Sequence, residues 1–195
     1  MKKILLILLL LPFISVHSQN IDINLLRNIN LNRNKQFDQS FKIITNSALP
    51  IAIGTPVILY GLGMLKKDKV LKKNALYIGA SVITSSVFST ILKYSFNRRR
   101  PFETYPDIEK VTSGGSPSFP SGHTCDAFAL ATSVTFVYPK WYVIVPAFAW
   151  AGAVGYSRMD LGVHYPSDVL MGAVTGAGSA YLCYKGQQWL NKKRK

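Results

Sequence analysis

The stretch ALYIGASVITSSVFSTIL, residues 75–92, decides the fold class because it runs for 18 positions without a charged residue. A helix of that length extends about 27 Å at 1.5 Å per residue, close to the hydrocarbon thickness of a bilayer. A soluble helix would carry a polar stripe on the face that meets water. The polar residues here are serines and threonines, and Ser81, Ser85 and Ser89 recur four apart. That spacing suits hydrogen bonding between helices in lipid.

Four further stretches also lack lysine, arginine and glutamate, and they are residues 48–65, 124–138, 141–157 and 169–184. Small residues recur every fourth position in the last one, as Gly172, Gly176 and Ala180, and such rows let helix backbones approach closely. These stretches predict an all-α, membrane-embedded helical bundle with five or six transmembrane helices. The alternative is a soluble all-α bundle whose apolar helices are buried.

The composition agrees with a compact, apolar protein. The chain has 195 residues, of which 48% are hydrophobic and 16% are charged, whereas about 25% charged residues is usual. This composition excludes a collagen-like, coiled-coil or disordered chain, and two cysteines are too few for a disulfide scaffold. The net charge of +14 suits nucleic acid, a membrane surface or an anionic substrate.

The positions of the basic residues choose among these partners. Five lysines lie in the linker 66–73, all four residues of the tail 192–195 are basic, and Lys140 lies in a short turn. Counting helices places all three groups on one side of the bundle, and positive residues favour the cytoplasmic side of a membrane. The basic excess therefore needs no nucleic acid, and no basic groove with interleaved aromatic residues is visible.

The N-terminus has the layout of a secretory signal, since Lys2 and Lys3 precede an apolar run. We expect a signal peptide over residues 1–18, cleaved after Ser18. Because the apolar run is short for a membrane span, an uncleaved first membrane helix is the alternative.

The rest of the chain is expected to form two regions. Residues 19–47 are polar and predict an N-terminal segment with an interfacial helix, and residues 48–195 are expected to form the helical domain. In either case the chain at Asn20 is expected on the outer side of the inner membrane. The ends of the helices opposite the lysine clusters are therefore expected to face the periplasm.

Three short polar motifs fall at these outer ends. The first contains Lys93, Arg100 and Pro101. Lys93 and Arg100 are two helical turns apart, so we expect them to share one helix face until Pro101 ends the helix. Arg98 and Arg99 lie between them and are expected to be either secondary contacts or membrane anchors.

The second and third motifs open two of the predicted helices. In the second, Ser121 and Gly122 precede His123, and a helix start of this kind offers free backbone N–H groups to a phosphate. In the third, Arg158 is followed by His164 and then by Asp168. Pro166 suits the first turn of a helix, which places His164 just before that helix and Asp168 within reach of its ring.

Together these residues suit chemistry on an oxyanion. Three cations beside a helix N-terminus form a clamp for anionic oxygens, and the clamp is strongest where water is scarce. A histidine paired with an aspartate has a fixed tautomer and orientation. A second histidine is able to protonate a leaving oxygen.

The three motifs, Lys-x6-Arg-Pro, Pro-Ser-Gly-His and Ser-Arg-x5-His-x3-Asp, resemble the signature motifs of the type 2 phosphatidic acid phosphatase superfamily. That superfamily also includes bacterial class A acid phosphatases and vanadium haloperoxidases. The resemblance covers residues 93–168 and includes every signature residue. It implies a phosphoric ester hydrolase that needs no cofactor and no metal.

The resemblance also implies a role for each residue. His164 would be the nucleophile that forms a phosphohistidine, Asp168 would orient it, and His123 would be the general acid and then the base that activates water. The phosphate oxygens would be held by Lys93, Arg100 and Arg158, together with Ser121 and the backbone N–H of Gly122.

An outward-facing site between membrane helices implies a lipid phosphate or pyrophosphate as substrate. Polyprenyl pyrophosphate, phosphatidic acid, phosphatidylglycerol phosphate and lipid A phosphates all remain open. Two alternatives within the superfamily also remain. One is a soluble periplasmic acid phosphatase of the class A type, acting on small phosphomonoesters. The other is a vanadate-dependent haloperoxidase in which His164 would bind the vanadate.

Overall fold

The computed structural model describes residues 21–193, which form helices and connecting loops with no strand among them. This confirms the all-α prediction for that part of the chain. The predicted signal peptide over residues 1–18 lies outside the described residues.

Eight helices follow one another along the described residues. They are α1 (21–31), α2 (Asp38–Asn46), α3 (Ala48–Leu65), α4 (Lys69–Phe96), α5 (Pro101–Thr104), α6 (Gly122–Val137), α7 (Trp141–Asp160) and α8 (Pro166–Lys193). A 3₁₀ turn, Lys35–Phe37, leads into α2. The five long helices are α3, α4, α6, α7 and α8, and each corresponds to one of the five apolar stretches predicted from the sequence. α6 ends at Val137, one residue before its stretch does.

The turn between α3 and α4 shows how local sequence sets a helix boundary. Asp68 precedes α4, and its Oδ1 accepts hydrogen bonds from the backbone N–H groups of Val70 and Leu71 at 2.8 and 3.0 Å. An aspartate at this position satisfies donors that have no partner inside the helix. Gly63 allows the hairpin to close, because a Cβ there would lie 2.7 Å from Lys72 Cγ.

The helix that carries Lys93 ends earlier than the motif spacing predicts. α4 stops at Phe96, and Asn97 ends it in the left-handed conformation with φ 44°. Arg100 is extended, with φ −76° and ψ 157°, because the residue before a proline is driven out of the helical region. The expectation that Lys93 and Arg100 share one helix face is therefore wrong. Arg100 instead precedes α5.

α6 lies at the centre of the bundle, packed against α4, α7 and α8. The closest approach is to α8, where a Cβ on Gly172 would lie 2.8 Å from the carbonyl oxygen of Ser121. A Cβ on Gly176 would lie 2.9 Å from the backbone nitrogen of Ala129. The small residues that the sequence spaces four apart on α8 are thus where its backbone meets α6.

The long helices run alternately in opposite directions, so their ends form two separate sets. The connections after α4 and after α7, together with the start of α6, lie at one end. The turns 66–68 and 138–140 lie at the other end, with the lysines that the sequence analysis assigned to a single side. All three polar motifs lie at the first end.

The outer faces of the helices are apolar. Val57 on α3 is 64% exposed, Ile83 on α4 is 67% exposed, and Leu65 at the end of α3 is 83% exposed. Two stretches, Lys35–Leu65 and Lys69–Thr104, are long and apolar enough to cross a membrane. Large side chains of this kind are the usual lining of a surface that meets lipid and not water.

α1 packs onto the end of the bundle that carries the motifs. Its Ile23 and Leu26 are buried in a cluster with Ile108 and Tyr165. Asn30 is also buried, and its amide donates to the backbone carbonyl oxygens of Glu109 and Asp160 at 3.1 and 2.8 Å. The predicted interfacial helix stays a prediction, but α1 is tied to the loops around the motifs.

The close approach of α6 and α8 predicts the effect of adding one methyl group. Gly176→Ala would force the two backbones apart, and overpacking of this kind costs about 1–3 kcal/mol. We expect a lower thermal unfolding midpoint for the purified protein in detergent. Gly178→Ala is the matched control, because nothing lies within 4 Å of its added Cβ. An equal response of the two variants would contradict the packing described here.

Candidate active site

A cavity of about 340 Å³ opens at the end of the bundle where the motifs meet. Six of the eight predicted site residues line it, and they are Lys93, Arg100, Gly122, His123, Arg158 and His164. The other two, Ser121 and Asp168, are buried next to it. The backbone N–H of Ser121 donates to the carbonyl oxygen of Asp168 at 3.0 Å, which joins the start of α6 to the start of α8.

The three cations of the cavity are each held by a carbonyl oxygen of one loop, residues 113–117. Lys93 Nζ donates to the carbonyl of Pro117 at 2.7 Å. The carbonyls of Ser116 and Ser113 take the other two cations, with Arg100 Nε donating to the first at 2.8 Å and Arg158 Nη2 to the second at 3.2 Å. This loop therefore orients three positive charges toward one cavity.

Glycine is required in that loop by the approach of Arg100. A Cβ on Gly114 would lie 2.5 Å from Arg100 Nη1 and 2.9 Å from its Cζ. Arg100 Nη1 also donates to the backbone carbonyl of Val163 at 2.9 Å. The guanidinium is thus fixed between the loop and the residue before His164, with little freedom to turn away.

Arg158 is the most deeply placed of the cations, and it is 2% exposed. Its Nη1 donates to the hydroxyl of Thr45 on α2 at 2.7 Å. Its Nε is buried and has no hydrogen-bond partner among the described residues. A buried donor without a partner is uncommon in proteins, and here it belongs to a cation at the wall of the cavity.

His164 is 1% exposed and has different neighbours at its two ring nitrogens. Nδ1 lies 3.5 Å from Asp168 Oδ2 and 3.4 Å from the hydroxyl of Ser118. Nε2 lies 3.4 Å from Arg100 Nη1. A proton on Nδ1 faces the carboxylate in this arrangement, which leaves the lone pair on Nε2 directed toward the cations of the cavity.

Burial lowers the pKa of His164 to about 3. The Asp168 carboxylate opposes this shift, and the positive charges of Arg100 and Arg158 add to it. Because this pKa lies well below 6.5, the imidazole is neutral near pH 7. A neutral ring with a free lone pair has the form that a nucleophile requires.

The carboxylate of Asp168 is fully buried and its oxygens accept hydrogen bonds from three other residues. Oδ2 accepts from the hydroxyl of Ser118 and from the backbone N–H of Tyr165, the latter at 3.0 Å. Oδ1 accepts from Arg98 Nη1 at 2.7 Å. The prediction that Asp168 lies within reach of His164 is consistent with this geometry, and Ser118 is an additional contact to both.

Arg98 is a contact of the site, and its role as a membrane anchor is not supported by its position. Besides Asp168, it donates to the hydroxyl of Ser167 and to Asp22 Oδ2, each at 2.7 Å. Its guanidinium also lies over the ring of Tyr165, 3.8 Å from the centroid. Arg98 therefore connects the carboxylate behind His164 to helix α1.

Sequence reasoning missed Ser118, Asp22 and Thr45. Ser118 lies just before the second motif, outside the three motifs. Asp22 and Thr45 lie in the polar N-terminal segment 19–47, whose sequence gives no indication of a partner. For Asp22 and Thr45 the sequence did hold a clue, because Arg98 and Arg158 are cations on the side where positive charge is disfavoured and therefore need partners.

No group of three or more histidine, cysteine, aspartate or glutamate side chains placed to hold a metal ion occurs within residues 21–193. The expectation of a metal-free site stays a prediction. His123 lines the cavity from the first turn of α6.

Comparison with known proteins gives matches across the region of the motifs. A family model described as the PAP2 superfamily matches residues 74–192. The bacitracin transport permease protein BcrC of Bacillus licheniformis is 30% identical over 137 residues, which cover 69% of this chain and 63% of that protein.

Two lipid A phosphatases match over shorter regions. Lipid A 4'-phosphatase of Bacteroides thetaiotaomicron is 35% identical over 88 residues, covering 45% of this chain and 39% of that protein. Lipid A 1-phosphatase of Rhizobium etli is 36% identical over 118 residues, covering 54% and 50%. The chain thus spans between 39% and 63% of the length of these three curated relatives.

Two solved structures share the fold over most of their length. The crystal structure of Aquifex aeolicus LpxE has a TM-score of 0.75 and 26% identity, covering 85% of this chain and 95% of that one. The first transmembrane PAP2 type phosphatidylglycerolphosphate phosphatase from Bacillus subtilis has a TM-score of 0.72 and 24% identity, covering 95% of each chain. The second likeness is one of fold.

The contacts of Asp22 predict that α1 stabilises the site. Asp22→Ala would leave Arg98 without one of its two carboxylates and Ser167 without the acceptor of its backbone N–H, which is 2.8 Å away. Removing one partner of a largely buried ion pair costs about 3–5 kcal/mol. We expect a thermal unfolding midpoint in detergent that is lower by about 5 °C or more.

Asp107→Ala is the control for this experiment, because Asp107 pairs with Arg27 at the surface. Exposed pairs contribute little to stability, so its midpoint is expected to stay close to that of the wild type. If Asp22→Ala behaved like this control, α1 would not stabilise the site.

Proposed function

This chain belongs to the PAP2 superfamily, and from its site geometry we propose that it is a metal-independent phosphatase acting on a lipid phosphate or pyrophosphate. We place the reaction at the periplasmic face of the inner membrane. The observation that carries the proposal is a buried, neutral His164 whose Nε2 faces a cavity lined by three cations.

In the first step, Nε2 of His164 attacks the phosphorus of the substrate. An N–P bond forms, the P–O bond to the leaving group breaks, and the leaving oxygen takes the bond's electron pair and a proton from His123. The imidazole becomes positively charged as a phosphohistidine. Asp168, next to Nδ1, stabilises that charge in the same way as the aspartate of a catalytic triad.

In the second step, His123 removes a proton from a water molecule that attacks the phosphorus. An O–P bond forms, the N–P bond breaks, and its electron pair returns to Nε2 of His164. Inorganic phosphate is released and His123 is again protonated. His123 gives up its proton in the first step and takes one from water in the second, so the same histidine acts first as acid and then as base.

The cations supply the electrostatic part of the reaction. Lys93, Arg100 and Arg158 bind the phosphate oxygens, on which negative charge is concentrated in the transition state. Because loop carbonyls already orient these side chains, little reorganisation is needed when the substrate arrives. Ser121 and the backbone N–H of Gly122 are proposed to assist at the start of α6.

A lipid substrate is supported by the surface beside the cavity. A second cavity of about 410 Å³ lies between α3 and α4, and it shares Leu49 with the cavity that holds His164. A third, of about 540 Å³, continues along the same two helices and shares Ile53, Val82 and Ile83 with the second. Their apolar walls suit a hydrocarbon chain attached to a phosphate bound at the cations.

The outward-facing apolar side chains favour this proposal over a soluble acid phosphatase. Residues such as Val57 and Ile83 would meet water in a soluble enzyme, at a cost that burial in lipid removes. Two relatives are named as lipid A phosphatases, so lipid phosphates are the class of substrate that we propose.

His164→Ala tests the proposed nucleophile. We expect phosphate release from lipid phosphates to fall by about three orders of magnitude or more, because the variant has no atom on which a covalent intermediate forms. Rapid quenching in alkali with substrate radiolabelled at the phosphate should trap a phosphohistidine in the wild type only. Wild-type activity should persist in EDTA. Activity that EDTA abolishes, or that His164→Ala retains, would overturn the mechanism.

Asp168→Asn tests the partner of that nucleophile. The substitution keeps the shape of the side chain but removes the charge that stabilises the imidazolium. We expect kcat to fall by about 10²–10⁴-fold with KM little changed, by analogy with the aspartate of a triad. The thermal unfolding midpoint is measured alongside, so that lost activity is separated from lost folding. Wild-type kcat in a folded variant would show that Asp168 does not assist His164.

A further inference from the structure

Asp126 is a carboxylate in a cavity otherwise built for anions. It lies on α6 one turn after His123, and it is the one acidic residue among the described residues that line the cavity. The mechanism proposed above gives it no role. A negative group near three cations opposes the binding of phosphate. Its presence in the cavity therefore suggests a favourable contact with another part of the substrate.

The cations of the cavity do not neutralise Asp126. No ion pair within residues 21–193 includes it. Ser86 on α4 donates its hydroxyl to Oδ1 at 2.8 Å, and the structure shows no protein donor to Oδ2 in the described part of the chain. One oxygen is therefore held in place by Ser86, and the other is free to accept a hydrogen bond.

The position of Asp126 determines which part of a substrate it meets. Its partner Ser86 lines the apolar cavity between α3 and α4, as does Leu49, which also lines the cavity of the cations. Asp126 thus lies where these two cavities meet. With the phosphate at the cations and the hydrocarbon chain between α3 and α4, the atoms that join them pass beside this carboxylate.

A carboxylate at this place discriminates among the chemical groups that join the phosphate to the hydrocarbon chain. It accepts hydrogen bonds and, when ionised, donates none, so it favours a hydroxyl or an amide N–H near the phosphate ester. It repels a second phosphate at the same place, because two negative groups at short range in a partly buried site are strongly unfavourable.

We propose that Asp126 is a specificity-determining residue that selects phosphate monoesters bearing a hydroxyl or amide donor beside the ester, as in sugar or polyol head groups, over lipid diphosphates. This inference rests on the proposed phosphatase function and narrows its substrate class. Asp126 acts by contact with the substrate and takes no part in proton transfer.

Three synthetic substrates with one alkyl chain test it, and they are dodecyl phosphate, 2-hydroxydodecyl phosphate and dodecyl diphosphate. kcat/KM is measured for each with the full chain in detergent at pH 8. We expect the wild type to prefer the hydroxylated monoester over dodecyl phosphate by about tenfold, the value of one hydrogen bond to a charged group. The diphosphate is expected to be the poorest substrate.

Two variants separate the hydrogen bond from the charge. Asp126→Ala removes both, so the hydroxyl should no longer improve kcat/KM and the diphosphate should lose its disadvantage. Asp126→Asn keeps an oxygen acceptor without the charge, so it should retain part of the preference for the hydroxyl while accepting the diphosphate better. Asp107→Asn removes an aspartate charge at a surface residue that does not line the cavity, and it should leave all three ratios as in the wild type.

The outcomes distinguish this inference from the proposed function. If the wild type hydrolyses the substrates but both Asp126 variants show the same kcat/KM ratios as the wild type, the specificity role is overturned while the phosphatase function stands. If the folded wild type releases phosphate from none of them and from no lipid phosphate, both are overturned. Should Asp126→Ala fail to fold, as judged by its elution in size-exclusion chromatography, the ratios of Asp126→Asn decide the question.

Discussion

The buried carboxylate of Asp168 is the group on which the arrangement of the site depends. Taking an ionised carboxylate out of water costs several kcal/mol unless charged and hydrogen-bonded partners replace the water. Arg98, Ser118 and the backbone of Tyr165 provide those partners. They come from three separate loop regions, so the same interaction that satisfies the carboxylate also draws these loops together around His164.

A second requirement follows from gathering three cations in one cavity. Lys93, Arg100 and Arg158 repel one another, and the protein compensates with carbonyl oxygens from residues 113–117 and not with carboxylates. Carbonyl dipoles orient the donors without neutralising their charge, which leaves the cavity positive and ready for an anion. The repulsion among the three cations destabilises the fold, but it lies at the cavity where positive charge favours binding of an anion. Functional sites commonly combine lower stability with such charge clusters.

Much of this was predictable from short-range patterns. The apolar stretches predicted the five long helices, and Pro166 correctly indicated the start of α8, because apolar patterning and proline geometry act locally. The structure also brings six of the eight predicted site residues to one cavity. The helix face shared by Lys93 and Arg100 was wrong, since Asn97 ends α4 early and the conformation of Arg100 is set by the proline that follows it.

The sequence by itself determined the class of the fold, the family and the residues of the motifs, because helix formation and motif spacing are properties of neighbouring residues. Only the tertiary structure decided which residues complete the site. Asp22 and Asp168 meet at Arg98 although 146 positions separate them in the chain. Asp126 lines the cavity from α6 and accepts a hydrogen bond from Ser86 of α4. Contacts over such separations arise from how whole helices pack, and no local pattern records them.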